Sequence, residues 1–304
     1  MSEEHDRGVP MSLALHLCEL YAPVKRPVLF EGPVGAGKTT LARRLHDYSG
    51  RTGRLVVVTA AESSEPMFRD KLFGHVRGAF TGATSRRTGA IEEATAGTLL
   101  LDDIAYLTSE AQAAILRTME ELAYYPIGAE VEQRVTCRFL FASTVPLELL
   151  VESGRLLTDF RSRLGELVIR VHGLAERRGE IPGLARRIAA EFRREHGRSP
   201  EVDFSREAID CLQRYSWPTN VRELRNVVER AVIHAGVDVD LPLIEPIHLP
   251  DRIVQFEPGE DDEAPLSRDL VAWALELADG NQSEAARRLG RHRNTIGRWL
   301  RRTR

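Results

Sequence analysis

Two groups of residues have the types and spacing for phosphate chemistry. The first, Gly32-Pro-Val-Gly35-Ala36-Gly37-Lys38-Thr39, fits the pattern GxxxxGK[ST], and Thr40 follows it directly. Glycines let successive backbone N–H groups wrap a phosphate chain, an ammonium at Lys38 neutralises the outer phosphates, and the Thr39 hydroxyl can hold Mg²⁺ at a helix N-terminus. A chance Gly-rich turn is the competing reading. Against it stands the choice of cation, because Lys25, Lys38 and Lys71 are the only lysines of the chain. A sequence that elsewhere uses arginine keeps, at this position, the compact ammonium that reaches between phosphate oxygens. The second group is Asp102-Asp103, two carboxylates directly after the apolar run Leu99 to Leu101. Asp102 would hold Mg²⁺ through water, and Asp103 would orient the attacking water. Asp pairs also start turns, so this reading depends on the upstream loop. ATP and Mg²⁺ are therefore the expected substrate and metal.

These residues need a scaffold. Val28 to Phe30 reads as a strand and Leu55 to Val58 as a buried strand, and an amphipathic stretch with Leu41, Ala42 and Leu45 follows the Gly-rich turn. Leu99 to Leu101 and Phe139 to Ala142 are two further strands, separated by a helical pattern of Ala111, Ile115, Met119 and Leu122. Strands alternating with helices predict an α/β P-loop domain, a parallel sheet flanked by helices, over residues 1–172. From Ile181 the apolar spacing is helical throughout, which predicts a smaller all-α unit over 173–254. The acidic stretch 255–265, containing FEPGEDDEAP, reads as a linker, and 266–304 as a small all-α domain.

Composition narrows the class. A chain of 304 residues, 42% hydrophobic, can bury a large core. It has no apolar run near the roughly 18 residues of a membrane span, and its acidic start lacks the order of a secretory signal, so the expected compartment is the cytoplasm. Cys18, Cys137 and Cys211 are odd in number and without a CxxC pairing, which favours buried free thiols over a disulfide framework or zinc cluster. The net charge of -3 hides an asymmetry: residues 266–304 hold nine Arg against four Asp and Glu, leaving the rest at -8. Only this basic tail is expected to meet nucleic acid. There Leu270, Ala274 and Leu277 share a helical face, Asn281 with Glu284 reads as a capping box, Leu289-Gly290 ends the second helix, and Ile296, Trp299 and Leu300 anchor a third. A Gly turn between short helices predicts a helix-turn-helix, with an amphipathic tail for protein contact as the alternative.

Leu72-Phe-Gly-His75, followed by Gly78-Ala79-Phe80-Thr81-Gly82-Ala83, resembles the signature loop of the AAA+ activators of sigma-54 RNA polymerase, the bacterial enhancer-binding proteins. Trp217-Pro-Thr-Asn-Val-Arg222-Glu-Leu-Arg225-Asn resembles the lid motif of the same family, and Asn281-Gln-Ser-Glu-Ala-Ala with Arg293-Asn-Thr-Ile resembles the Fis-like DNA-binding domain that ends many of them. The resemblance implies an AAA+ fold with a helical lid, assembled as a hexamer, or a dimer when inactive. It implies that the hexapeptide from Gly78 to Ala83 contacts sigma-54 polymerase, that Arg222 senses the γ-phosphate, and that Arg163 reaches a neighbouring subunit's site as an arginine finger. Arg293, Asn294, Thr295 and Arg298 would face base edges of double-stranded DNA, while Arg291, Arg301 and Arg302 would meet phosphates. Gly297 inside that recognition helix is unusual and lowers its stability.

Four positions depart from the family pattern. Asp103 replaces the usual Glu, Thr59 the usual Asn, Ser143-Thr144 the sensor Thr-Asn, and Leu157 a second finger arginine. Asp is one methylene shorter than Glu, so the hold on water changes. The expected activity is DNA-bound ATP hydrolysis that remodels sigma-54 polymerase. A nucleotide-gated DNA-binding regulator that hydrolyses little is the second reading. An AAA+ replication or helicase-loading factor is the third, and it leaves the hexapeptide without a purpose. The P-loop begins at residue 32, ahead of which no sensory domain of the usual ~100 residues fits, so a trans-acting regulatory protein is expected.

Overall fold

A computed structural model describes residues 10–62, 65–236, 241–257, 268–289, 296, 297 and 300. The chain divides into two compact units, the first holding residues up to Gly32 and from Gly37 to Val171, the second holding Pro33–Ala36 and everything from His172 onward.

The first unit runs α1 (Met11–Tyr21), β1 (Val28–Glu31), α2 (Lys38–Tyr48), β2 (Leu55–Thr59), α3 (Glu65–Phe73), β3 (Gly74–His75) and β4 (Arg87–Thr88). It continues with α4 (Ala90–Glu93), β5 (Thr98–Asp102), α5 (Ser109–Glu121), β6 (Ala123–Tyr124), β7 (Gln133–Arg134), β8 (Arg138–Ser143), α6 (Leu147–Glu152), α7 (Thr158–Leu164) and β9 (Val168–Arg170). Five strands make one parallel sheet in the order β2-β5-β8-β1-β9. Two of the three inner strands explain their apolar runs, since every residue of β1 and β8 is buried, whereas β2, expected to be buried, lies at the sheet edge with Val57 exposed and only Val58 buried. Strands buried on both faces need no polar alternation. Helix α5 follows the expected period through Ala111, Ile115 and Met119, which are buried, but ends before Leu122, which takes the left-handed C-cap conformation and is exposed; the Thr108 side chain caps the start by accepting from the Ala111 N–H.

Arg138, at the start of β8, is buried with no carboxylate partner among the described residues. Its guanidinium instead donates to the carbonyls of Tyr21, Ala22 and Arg26, gathering the end of α1 and the segment leading into β1. Burial pulls its pKa down to about 10, so the charge is retained at neutral pH.

The second unit runs α8 (Ile181–Glu195), β10 (Asp203–Phe204), α9 (Arg206–Arg214), α10 (Asn220–Gly236), β11 (Leu243–Ile244) and α11 (Asp251–Val254), followed by α12 (Arg268–Leu277) and α13 (Gln282–Arg288). Helices α8, α9 and α10 share a core built from Ile181, Ala185 and Ile188, from Ala208 and Leu212, and from Leu224, Val228 and Ala231. The two-residue parallel pairing of β10 with β11 is the one strand element among the described residues of this helical region, too short to leave a period-2 signal. Trp217 is fully buried there, stacked edge-on by Tyr215 at 5.0 Å, with its indole N–H donated to the Leu212 carbonyl at 2.8 Å. Phe256, which opens the acidic stretch, packs against the same core with its ring 5.1 Å from Tyr215.

In the tail, Asn281 caps α13 by accepting from the backbone N–H groups of Ser283 and Glu284. Val271 and Ala274 of α12 and Ala285 and Ala286 of α13 are buried, and Ile296 and Leu300 join that packing. The Leu270 and Trp299 side chains lie outside the described residues, as do Arg291, Arg293, Asn294, Thr295, Arg298, Arg301 and Arg302.

Two outcomes are expected. Trp217→Ala removes a fully buried indole and a satisfied hydrogen bond, so it should cost about 3–5 kcal/mol, read as a lower urea midpoint by far-UV circular dichroism. Burial pushes the thiol of Cys18 up to about 12 and that of Cys137 to about 11. At pH 8 both should therefore resist a thiolate-specific disulfide reagent in the folded protein and react within minutes once it is unfolded in guanidinium.

Candidate functional site

All five strands of the main sheet are parallel, so their C-terminal ends share one edge, where the ligands of open α/β sheets collect. Strand β1 ends at Glu31 and passes into the P-loop. Register pairs Glu31 with Ser143 on β8, and Thr59 on β2 with Asp102 on β5. The loop and Asp102-Asp103 are therefore held at one edge by the main-chain ladder. Thr59 and Thr144 close the ends of flanking strands there.

Within the P-loop, Gly35 (φ 72°) and Gly37 (φ 109°) take the left-handed backbone that reverses the chain into α2. The Lys38 ammonium is buried and donates to the Gly32 carbonyl at 2.7 Å. The Thr39 hydroxyl donates to the Asp102 carboxylate at 3.3 Å. A hydroxyl and a carboxylate oxygen converging beside a phosphate loop form a hard-oxygen pair, and this donor set fits Mg²⁺. Thr40 occupies the next position of α2.

Asp103 stands at φ 55°, ψ 52°, with its N–H donated to the Asp102 carboxylate at 3.0 Å. Asp is one of the few side chains that enters the left-handed region readily. The shorter residue thus suits the backbone by which the chain leaves β5. Glu31 lies beneath this edge, its carboxylate paired with Arg170 at 2.6 Å and accepting the Leu147 N–H at 2.9 Å. Burial raises its pKa, and these two partners oppose that rise.

The turn Pro33–Ala36 belongs with the second unit, and carbonyl bookkeeping shows how it is held. Gly32 O accepts from Lys38, Pro33 O from the Ala36 N–H, and Gly37 O from the Leu41 N–H. The remaining three carbonyls accept from residues far along the chain. Val34 O receives the Asn220 side-chain amide at 2.8 Å, Gly35 O the Val221 N–H at 3.1 Å, and Ala36 O the Arg177 guanidinium at 2.6 Å. Gly35 has to be glycine, since a Cβ there would lie 2.1 Å from the Thr219 carbonyl oxygen and 3.2 Å from Arg222 Cβ. Arg222 is thus placed beside the turn, with its side chain exposed.

The hexapeptide forms a tight reversal. Gly78 donates to the Ala83 carbonyl at 2.8 Å, and Ala83 donates back to Phe80 at 3.0 Å. Gly78 (φ 83°) and Gly82 (φ 100°) are both left-handed, Ala79 is half-buried, and Thr81 is exposed at the tip. Phe80, 48% exposed, rests its ring edge-on against His75 at 4.9 Å. His75 in turn pairs with Asp70, which also holds Arg87 at 2.7 Å. Backbone bonds from Val76 N–H to Ile127 O and from Ile127 N–H to Gly74 O tie the base of this loop to the segment between β6 and β7. Gly128 packs there without room for a Cβ, which would approach Ala79 Cβ to 2.7 Å.

Arg163 lies exposed on α7, its guanidinium 3.3 Å from the Met119 carbonyl. Leu157 caps α7, its N–H donated to the buried Gln112 side chain. Sequence reasoning passed over Arg177, Asn220 and His75. Arg177 sits in a run of charges that reads as a solvated face, whereas Asn220 and His75 lie inside motifs singled out for their neighbours.

The chain matches three families in order: the Sigma-54 interaction domain over residues 7–170, the AAA+ ATPase lid domain over 175–266, and the Bacterial regulatory protein, Fis family, over 264–302. Among curated relatives, the transcriptional regulatory protein ZraR of Klebsiella oxytoca is 37% identical over 291 residues, covering 94% of this chain and 66% of ZraR. The DNA-binding transcriptional regulator NtrC of Azospirillum brasilense is 33% identical, covering 90% of this chain and 64% of NtrC. The chain thus spans just under two thirds of the length of these relatives. NtrX from Brucella abortus, solved in complex with ADP, superposes with a TM-score of 0.73 at 30% identity, covering 97% of this chain and 69% of NtrX. No helix among the described residues is long and apolar enough to cross a membrane. With the first of the three matches taking in over half of its length, the chain belongs to the Sigma-54 interaction domain family.

Proposed function

We propose that this protein is a DNA-bound ATPase that uses hydrolysis to remodel sigma-54 RNA polymerase holoenzyme and so activate transcription. The observation that carries the proposal is the pairing, in one α/β unit, of an ordered P-loop edge with a glycine-hinged loop that presents Phe80 and Thr81 to solvent. The first provides a fuel site and the second a contact that the fuel cycle can move. Double-stranded DNA is the partner proposed for the basic tail. The proposal includes homo-oligomerisation, with a hexamer as the working form, in which the exposed Arg163 would reach a neighbouring subunit. DNA and polymerase make the cytoplasm the compartment of this proposal. The proposed division is an ATPase part over 1–172, a lid over 173–254, an acidic linker over 255–265 and the DNA-binding part over 266–304.

The residues then take these roles. Gly35 and Gly37 present backbone N–H groups to the phosphates, Gly32 and Ala36 shape the loop around them with their own N–H groups donated to Ser143 O and Pro33 O, Lys38 exchanges the Gly32 carbonyl for the outer phosphates, and Thr40 continues the first turn of α2. Thr39 and Asp102 would hold Mg²⁺, which supplies charge neutralisation for the phosphoryl group. Asp103 orients water and accepts its proton, with Thr144 at the neighbouring strand end. Arg222 and Arg163 offset charge developing on the transferred group. Gly78, Ala79, Gly82 and Ala83 shape the loop whose tip touches polymerase.

Three substitutions test the scheme. Lys38→Ala should abolish phosphate release and binding of a fluorescent ATP analogue. Asp103→Asn should keep that binding and lower kcat by about 10²-fold or more, since a carboxylate base is lost while the backbone conformation stays accessible. Thr81→Ala should leave ATP turnover within about twofold while removing open-complex formation by sigma-54 polymerase. Hydrolysis by the assembled parent protein is the decisive measurement: none would leave a nucleotide-gated DNA-binding regulator in its place.

A further inference from the structure

A peptide plane points its C=O and the next residue's N–H in opposite directions. Fixing the carbonyl of Val34 therefore fixes the direction of the Gly35 N–H, and fixing that of Ala36 fixes the Gly37 N–H. The two carbonyls are fixed by side chains from one place, Asn220 Nδ2 on Val34 and Arg177 Nη2 on Ala36. Between them the Ala36 N–H turns back to Pro33 O, which leaves the Gly35 and Gly37 peptide planes as those that Asn220 and Arg177 orient.

Both side chains are themselves locked. Asn220 stands at φ 53°, a conformation Asn tolerates, and its carbonyl oxygen accepts the Leu174 N–H at 2.5 Å, so its amide can point only one way. Arg177 is 5% exposed, with Nη1 ion-paired to Glu180 at 3.0 Å. Its Nε is the one buried side-chain polar atom without a partner among the described residues. An unmatched buried donor lowers stability, which makes Arg177 a poor choice for packing alone.

We propose that Arg177 and Asn220 are positioning residues for nucleotide binding, which hold the Val34 and Ala36 carbonyls outward so that the Gly35 and Gly37 N–H groups face the phosphates. The inference rests on the P-loop being the nucleotide site and gives that site a support outside its own motif. An unsupported loop is free to turn a carbonyl toward the anion, and affinity falls with each plane that is released. Neither side chain touches the phosphates.

The test uses the full chain with a fluorescent ATP analogue and Mg²⁺, reading Kd together with KM and kcat for ATP. Arg177→Met and Asn220→Ala should each weaken Kd about tenfold, in the range of one lost buried hydrogen bond to a charged or fixed partner. KM should rise with them while kcat at saturation changes less. Arg194→Ala, an exposed lid arginine, should bind as the parent does. Arg177→Lys keeps the charge but not the fork that spans Ala36 and Glu180, so it should stay weakened; full recovery by lysine would reduce the role to general charge and overturn the proposal. If Asn220→Ala unfolds early, Asn220→Asp carries the test, since it keeps an acceptor for the Leu174 N–H and loses only the donor. Parent-like Kd in a folded Asn220→Asp or Arg177→Met protein would overturn the inference and leave the ATPase reading intact. A parent chain that binds no nucleotide would overturn both.

Discussion

A loop that receives an anion has to present N–H groups inward, and every carbonyl it turns away then needs a donor. The stretch from Gly32 to Gly37 meets that demand completely. Lys38, Ala36 and Leu41 serve three of its carbonyls locally, and Asn220, Val221 and Arg177 serve the other three. Much of the second unit's design answers to this requirement. Trp217 and Asn220 both adopt positive φ, and together they bring Thr219 over Gly35 at the start of α10. The buried indole on Leu212 O and the helical core around it hold that turn in place.

The same economy governs the edge of the sheet. β1 and β8 are buried end to end, so the P-loop springs from one of the two fully buried strands of the main sheet. The departures at Asp103 and Thr59 sit side by side in this frame, Thr59 in register with Asp102 and Asp103 next along the chain. Asp fits the left-handed step out of β5. The hexapeptide loop is anchored differently, by a relay from Phe80 to His75 to Asp70 to Arg87. Its apolar tip is therefore held by contacts that are few and partly exposed, the kind that open at little cost.

Much of this was legible in the sequence because it is local. Glycines and a lysine at fixed spacing, two carboxylates after an apolar run, and helical periodicity in the second half are read within a dozen residues. Asn281 announces its helix by the same short-range rule. What stayed hidden depends on residues that are distant in sequence. Arg177 and Arg138 look like any other arginine in an arginine-rich chain, and only the fold buries them against carbonyls 141 and 112 to 117 positions away. Phe256 reads as part of an acidic linker until Tyr215 is placed beside it. The β10–β11 pairing joins segments 40 residues apart with two residues each.

Lys38 is buried on its own loop's carbonyl, while the only other lysines are exposed Lys25 and half-buried Lys71. The chain thus offers almost no amine background. Under the proposed function, an acyl-phosphate carried on a nucleotide would meet the Lys38 ammonium at the loop and only two other lysines, at positions 25 and 71. Occupancy of the loop can then be followed by mass spectrometry through a single modified peptide, in a cell extract as readily as in the purified protein.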